Sequence, residues 1–222
     1  MSNLLTLIEI MSSSSDTNTL YHYNTKKLST LYSLAKQTEL GVDIRKDPAA
    51  IANKNRRSIF QRDPFPYDQH VSFFLDPIPL KLVRKYFTDN KVYQNFDHIY
   101  EHRVDIQQLK DNLNYWKLVE NPISNFMVDL YPTINFPGKN LLYFGTKNII
   151  NDLAGYQGTD FDKLLNCISK FKGSTEREFR RLVKDGLKDY YKAMYAPTVP
   201  HLLIYPINGQ LEISSVVKKN FK

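Results

Sequence analysis

The dipeptide Asn208-Gly209 stands between two β-prone runs, Leu202-Leu-Ile-Tyr205 and Leu211-Glu-Ile-Ser-Ser-Val-Val217. Asn and Gly tolerate the positive φ that tight hairpin turns demand, so this arrangement is the strongest short-range signal for a β-hairpin. It makes the end of the chain sheet. Upstream, Leu20-Tyr-His-Tyr23 and Val71-Ser-Phe-Phe-Leu75 read as short strands, the second stopped by Asp76-Pro77. Residues His98 to Ile106 alternate, with Ile99, Glu101 and Arg103 against Tyr100, His102, Val104 and Ile106. That is the period of a half-buried strand, with polar groups on both faces.

Helical spacing marks the remainder. Leu28, Leu31, Tyr32, Leu34 and Ala35 predict a helix near Lys26 to Thr38. Pro79 opens a short helix to Phe87, since its missing N–H costs nothing in a first turn. Further helices are predicted for Ile106 to Leu113 and Asn121 to Tyr131, and then for a block covering about 145–196: Asn148 to Tyr156, Asp160 to Lys172 and Glu176 to Tyr195. The last has a buried stripe of Phe179, Leu182, Val183, Leu187, Tyr190 and Tyr191, with Thr175 and Glu178 as a capping box. Helices and strands do not alternate regularly, which disfavours a parallel doubly wound sheet. The expectation is an α+β fold: a mixed or antiparallel sheet with a helical block inserted before a C-terminal β-hairpin. Residues 1–19 read as an N-terminal helix and flexible linker, and residues 20–222 as a single domain.

A single cysteine, Cys167, excludes an internal disulfide and fits a reducing compartment. It lies in an apolar helical stretch and is expected to be a buried, inert thiol. No run reaches the length of a membrane span. The apolar residues Leu4, Leu5, Leu7 and Ile8 are expected to contact other protein chains. The net charge of +7 permits nucleic acid as a partner. The densest basic groups are Lys54-Asn55-Arg56-Arg57, the Arg177 to Lys192 segment and Lys218-Lys219. Richness in Lys, Asn, Ile, Tyr and Phe, residues of AT-rich codons, hints at a phage or other viral source. That would place the protein in the cytoplasm of a host cell or in a virion.

Phosphate-cradling glycine loops, zinc-binding pairs and nucleophile elbows are absent from the sequence. His98 and His102 share a strand face but lie about 13 Å apart by strand rise, too far for one ion, so no metal is expected. One constellation does carry a resemblance. The order of Leu20-Tyr-His-Tyr23, Val71-Ser-Phe-Phe-Leu-Asp-Pro77 and Ile99-Tyr-Glu-His-Arg-Val-Asp105, closing in short strands, resembles the ADP-ribosyltransferase-like fold, particularly its small phage and bacterial members. The resemblance implies NAD as cofactor, with His22 on the adenosine ribose, Ser72 near the nicotinamide ribose and Phe73 as a ring beside it. Glu212 would be the acid that stabilises the oxocarbenium-like sugar, with Gln210 its rival for that slot. Arg56 and Arg57 would meet the pyrophosphate. The helical block is not part of that family's pattern.

Plainer readings stand beside these. His22 is then a hydrogen-bonded strand histidine, Ser72 an ordinary strand serine and Glu212 a solvated edge residue. Two alternatives to the transferase follow: a non-enzymatic virion structural or assembly protein, and a basic nucleic-acid-binding protein that would need a basic patch interleaved with aromatics.

Overall fold

A computed structural model of the chain describes residues 18–24, 26–42, 68–79, 81, 98–122, 151–178, 180 and 198–220. The strands are β1 (Thr19–Asn24), β2 (Thr30–Tyr32), β3 (Val71–Phe74), β4 (His98–Asp105), β5 (Leu113–Pro122), β6 (Asn151–Gly158), β7 (Thr198–Pro206), β8 (Gln210–Glu212) and β9 (Ser215–Asn220). The helices are α1 (Leu34–Glu39) and α2 (Phe161–Phe171), with a 3-10 turn at Ile106–Leu109. Seven strands form one sheet in the order β6-β5-β7-β3-β1-β4-β9, and β2 pairs with β8 in a second, two-stranded sheet. All neighbouring strands run antiparallel. The fold is α+β on an antiparallel sheet, as the sequence led us to expect.

Burial follows the period-two alternation. Leu20, Phe73, Val104, Trp116, Leu118, Leu202 and Ile204 build the core on one face of the large sheet. Helix α2 covers it with Leu164, Cys167 and Ile168, and the small sheet covers it with Leu31 and Leu211. Asp160 caps α2 by accepting from the Lys163 N–H, and its carbonyl takes the Trp116 indole N–H at 3.0 Å. The cap of the helix thereby also fixes the largest ring of the core. Cys167 is buried here, and desolvation pushes its thiol up to about 11.

Several local expectations change under tertiary pairing. The segment Lys26 to Thr38 is not one helix. Leu31 pairs with Leu211 in β2, and Ser33 starts α1 by accepting from the Lys36 N–H at 3.2 Å. The run expected to be helical from Asn148 to Tyr156 contributes strand β6 from Asn151, paired to β5. Between Ile106 and Leu113 only a 3-10 turn forms before β5 begins. Asn121 and Pro122 close β5 rather than open a helix. In the β2, β5 and β6 segments a short run with weak intrinsic preference is recruited by a neighbouring strand edge.

The C-terminal turn forms, with the Gly209 N–H donating to the Pro206 carbonyl at 3.1 Å, yet β7 and β8 do not make a hairpin. Both edges of β7 are already taken, by β5 and β3, so the returning chain has no edge to pair with. It peels away as β8 to join β2, then breaks at Ile213-Ser214 and pairs with β4 as β9. The expected capping box is also replaced. Helical residues Thr175–Glu178 follow α2, but the Thr175 hydroxyl donates to Asp76 at 3.0 Å and Glu178 pairs with Arg177. The Asp76 carboxylate, just after β3, accepts the Gly173 N–H as well. The stripe from Phe179 to Tyr191, the N-terminal segment and the Pro79 to Phe87 helix beyond Lys81 lie outside the described residues.

Gly209 has φ +67, and its carbonyl accepts the Ser33 N–H at 2.9 Å. A Cβ there would meet the Lys36 Cβ at 3.0 Å and the Ser33 Oγ at 3.3 Å. Gly209→Ala is therefore expected to lower stability by about 1–3 kcal/mol through left-handed strain and crowding against α1. Urea unfolding checks this; an unchanged midpoint would show that the turn relaxes freely.

Candidate functional site

The sheet joins some of the residues singled out above and separates others. Strands β1 and β3 share one registered pair, Tyr21 with Phe74, and the His22 Nδ1 donates to the Ser72 carbonyl at 2.9 Å. The edge of His22 packs on Phe73 at 6.2 Å, and Phe73 is fully buried in the core. Ser72 follows one residue out of phase, so its side chain belongs to the opposite face of β3. Glu212 lies in β8 of the small sheet, paired with Thr30. Its N–H donates to the Gln108 Oε1 at 3.0 Å, its carbonyl accepts from the Gln108 Nε2 at 2.9 Å, and its side chain is exposed. Gln210 gives its carbonyl to Asn112. Arg56 and Arg57 lie outside the described residues. His22, Phe73 and the Ser72 carbonyl thus meet, while the Ser72 hydroxyl and Glu212 belong to other surfaces.

Strand β4 has two different faces. On one, Glu101 has no accessible surface. Its carboxylate accepts the Tyr23 hydroxyl at 2.8 Å and pairs with Arg103 at 2.8 Å and Lys219 at 3.5 Å. The Tyr23 oxygen in turn accepts the Ile78 N–H at 2.9 Å. Burial, with the neighbouring Glu101 carboxylate, holds the Tyr23 hydroxyl protonated far above the ordinary phenol range.

The other face of β4 carries His102, Tyr100 and His98, with ring separations of 6.4 Å and 5.2 Å along the strand. His102 is fully buried, stands opposite His22 in register, and accepts the Leu28 N–H on Nε2 at 3.0 Å. This bond needs a neutral ring. Burial and the nearby His22 lower the His102 pKa to about 4, and burial lowers that of His22 as well. The bond also ties the loop carrying Lys26 and Lys27 over this end of the sheet.

Beyond His102 the side chains on this face are less buried. Tyr100 is half-buried, with Asn24 of β1 opposite it on one side and Lys218 of β9 on the other. The next row pairs His98 with Asn220. Adjacent strands lie about 4.8 Å apart, so Asn24, Tyr100 and Lys218 form one row roughly 10 Å wide. Lys218, Lys26 and Lys27 are exposed and have no carboxylate partner among the described residues, whereas Lys219 turns to the other face and Glu101. Alternation in β4 was readable from sequence. The pairing of Tyr100 with Lys218 was not, because it depends on the path of β9 across the molecule.

The chain matches no family model, and no curated protein or solved structure matches it. Among the described residues, no three His, Cys, Asp or Glu side chains are grouped to hold a metal ion, and no helix is long and apolar enough to cross a membrane.

The two histidines give a pH prediction. With the folded pKa of His102 near 4 against about 6.5 unfolded, the unfolded chain binds the proton first as pH falls. Stability is full above pH 6.5 and declines as pH drops from about 6.5 to 4, by about 1–3 kcal/mol for such a group. His102→Gln, which keeps an acceptor for Leu28, should flatten urea midpoints across that window. A slope identical to that of the parent would show that His102 does not carry the effect.

Proposed function

We propose that this chain is a basic nucleic-acid-binding protein that works through a surface rather than through catalysis. The observation that supports this is the row formed by the half-buried Asn24 and Tyr100 and the exposed Lys218 at the end of one sheet face, beside the exposed Lys26 and Lys27. Lysines without carboxylate partners among the described residues are available for phosphates, and releasing the counterions condensed on nucleic acid drives such binding. The net charge of +7 adds a long-range attraction.

The internal chemistry is consistent with a surface function. His22 serves the β1–β3 gap, His102 holds the Leu28 loop, Glu101 is enclosed by three partners and Asp76 anchors the segment after α2. These groups act as fold-building elements. A transferase acting on NAD would need the His22 ring, the Ser72 hydroxyl and an acid in one cleft. The out-of-phase position of Ser72 and the location of Glu212 on β8 favour the binding reading instead.

Binding to a labelled oligonucleotide should weaken steeply as salt rises. The slope of log affinity against log salt should shrink by about one in Lys218→Gln, as for loss of one phosphate contact. No binding at low salt would contradict the proposal. Nicotinamide release from NAD, lost in Glu212→Gln, would support the transferase instead.

A further inference from the structure

We infer that the bound form is single-stranded nucleic acid, with a base stacked on Tyr100 and the flanking phosphates held by Lys218 and the Lys26-Lys27 loop. This rests on the binding reading above and names the ligand class for the same surface. A lysine patch alone attracts any polyanion. A half-buried aromatic ring in the middle of that patch adds a second element, because an unstacked base can stack on an aromatic ring.

The geometry supports a single contact row. Tyr100 lies on β4, the second strand from the β9 edge of the large sheet, flanked by β1 and β9. Its ring makes a T-shaped contact with that of His98 along the strand at 5.2 Å and neighbours His102 at 6.4 Å. A ring held this way loses little freedom when a base covers it. Asn24 and Asn220 border the row with side-chain amides that can meet base edges without demanding one base. The Asn24 Oδ1 already accepts the Lys26 N–H at 2.9 Å, which fixes the start of the basic loop, and among the described residues its NH₂ group has no protein partner. Duplex DNA hides its base faces in the stack. A flat inner row of a sheet does not project into a groove as a helix or an isolated ribbon does, so a duplex would reach the lysines but not the ring.

Fluorescence anisotropy at constant low salt tests this with four ligands: an oligo-dT strand of about 15 nucleotides, the same strand with abasic sites, a duplex of equal length, and oligo-U. The full-length protein should bind oligo-dT and oligo-U at least about tenfold more tightly than the duplex or the abasic strand, as expected for one stacked base. Tyr100→Thr should remove that preference while retaining salt-dependent binding, and Tyr100→Phe should keep it. The abasic comparison uses the unaltered protein and stands even if Tyr100→Thr fails to fold. Equal affinity for the abasic strand, the duplex and oligo-dT would overturn the stacking inference while leaving the nucleic-acid reading intact. No binding to any of the four would overturn the reading itself.

Discussion

The buried carboxylate of Glu101 sets the register of the three strands that carry the proposed surface. It has no accessible surface and is satisfied by Tyr23 of β1, Arg103 of β4 and Lys219 of β9. A slip of one residue in β4 would carry this carboxylate to the apolar side and expose Val104 and Ile106, which are core residues. Burying a charge without partners costs far more than one strand pairing returns. The cluster therefore holds β1, β4 and β9 in phase. Alternation then delivers Asn24, Tyr100 and Lys218 to the other face as one row.

Along that other face polarity rises in steps of two residues. Leu20 and Val104 belong to the core beneath the small sheet, His22 and His102 form a neutral pair at its margin, and Asn24, Tyr100 and Lys218 form the open row. The histidines mark the boundary between packed interior and surface. Each is large enough to fill space and polar enough to complete a backbone hydrogen bond that the sheet leaves unmade, His22 with the Ser72 carbonyl and His102 with the Leu28 N–H. The acceptor role of His102 needs a neutral ring, which its burial favours, and burial lowers the pKa of His22 as well.

Much of the sheet was legible in the sequence because alternation is a local property. The β4 pattern from His98 to Asp105, the Val71–Phe74 strand and the helix after Asp160 all follow from spacing and caps. What was not legible depended on competition for strand edges. Asn208-Gly209 does turn the chain, but β7 lies in the sheet interior, so the turn sends β8 to β2 instead of back on itself. The same logic placed Glu212 in the small sheet. For the site, His22 reads correctly as a hydrogen-bonded strand histidine. The importance of Tyr100 depended on the register of β9, which no local pattern encodes.

Nucleic acid is proposed to lie on the Asn24, Tyr100 and Lys218 row. Ultraviolet cross-linking of the unmodified protein to a photoreactive single strand, followed by mass spectrometry of the adducts, tests it most directly. Adducts are expected on Tyr100, with Lys218 or the Lys26-Lys27 loop, competed away by unlabelled strand and by salt. Adducts confined to other parts of the chain, with this row unlabelled, would contradict it.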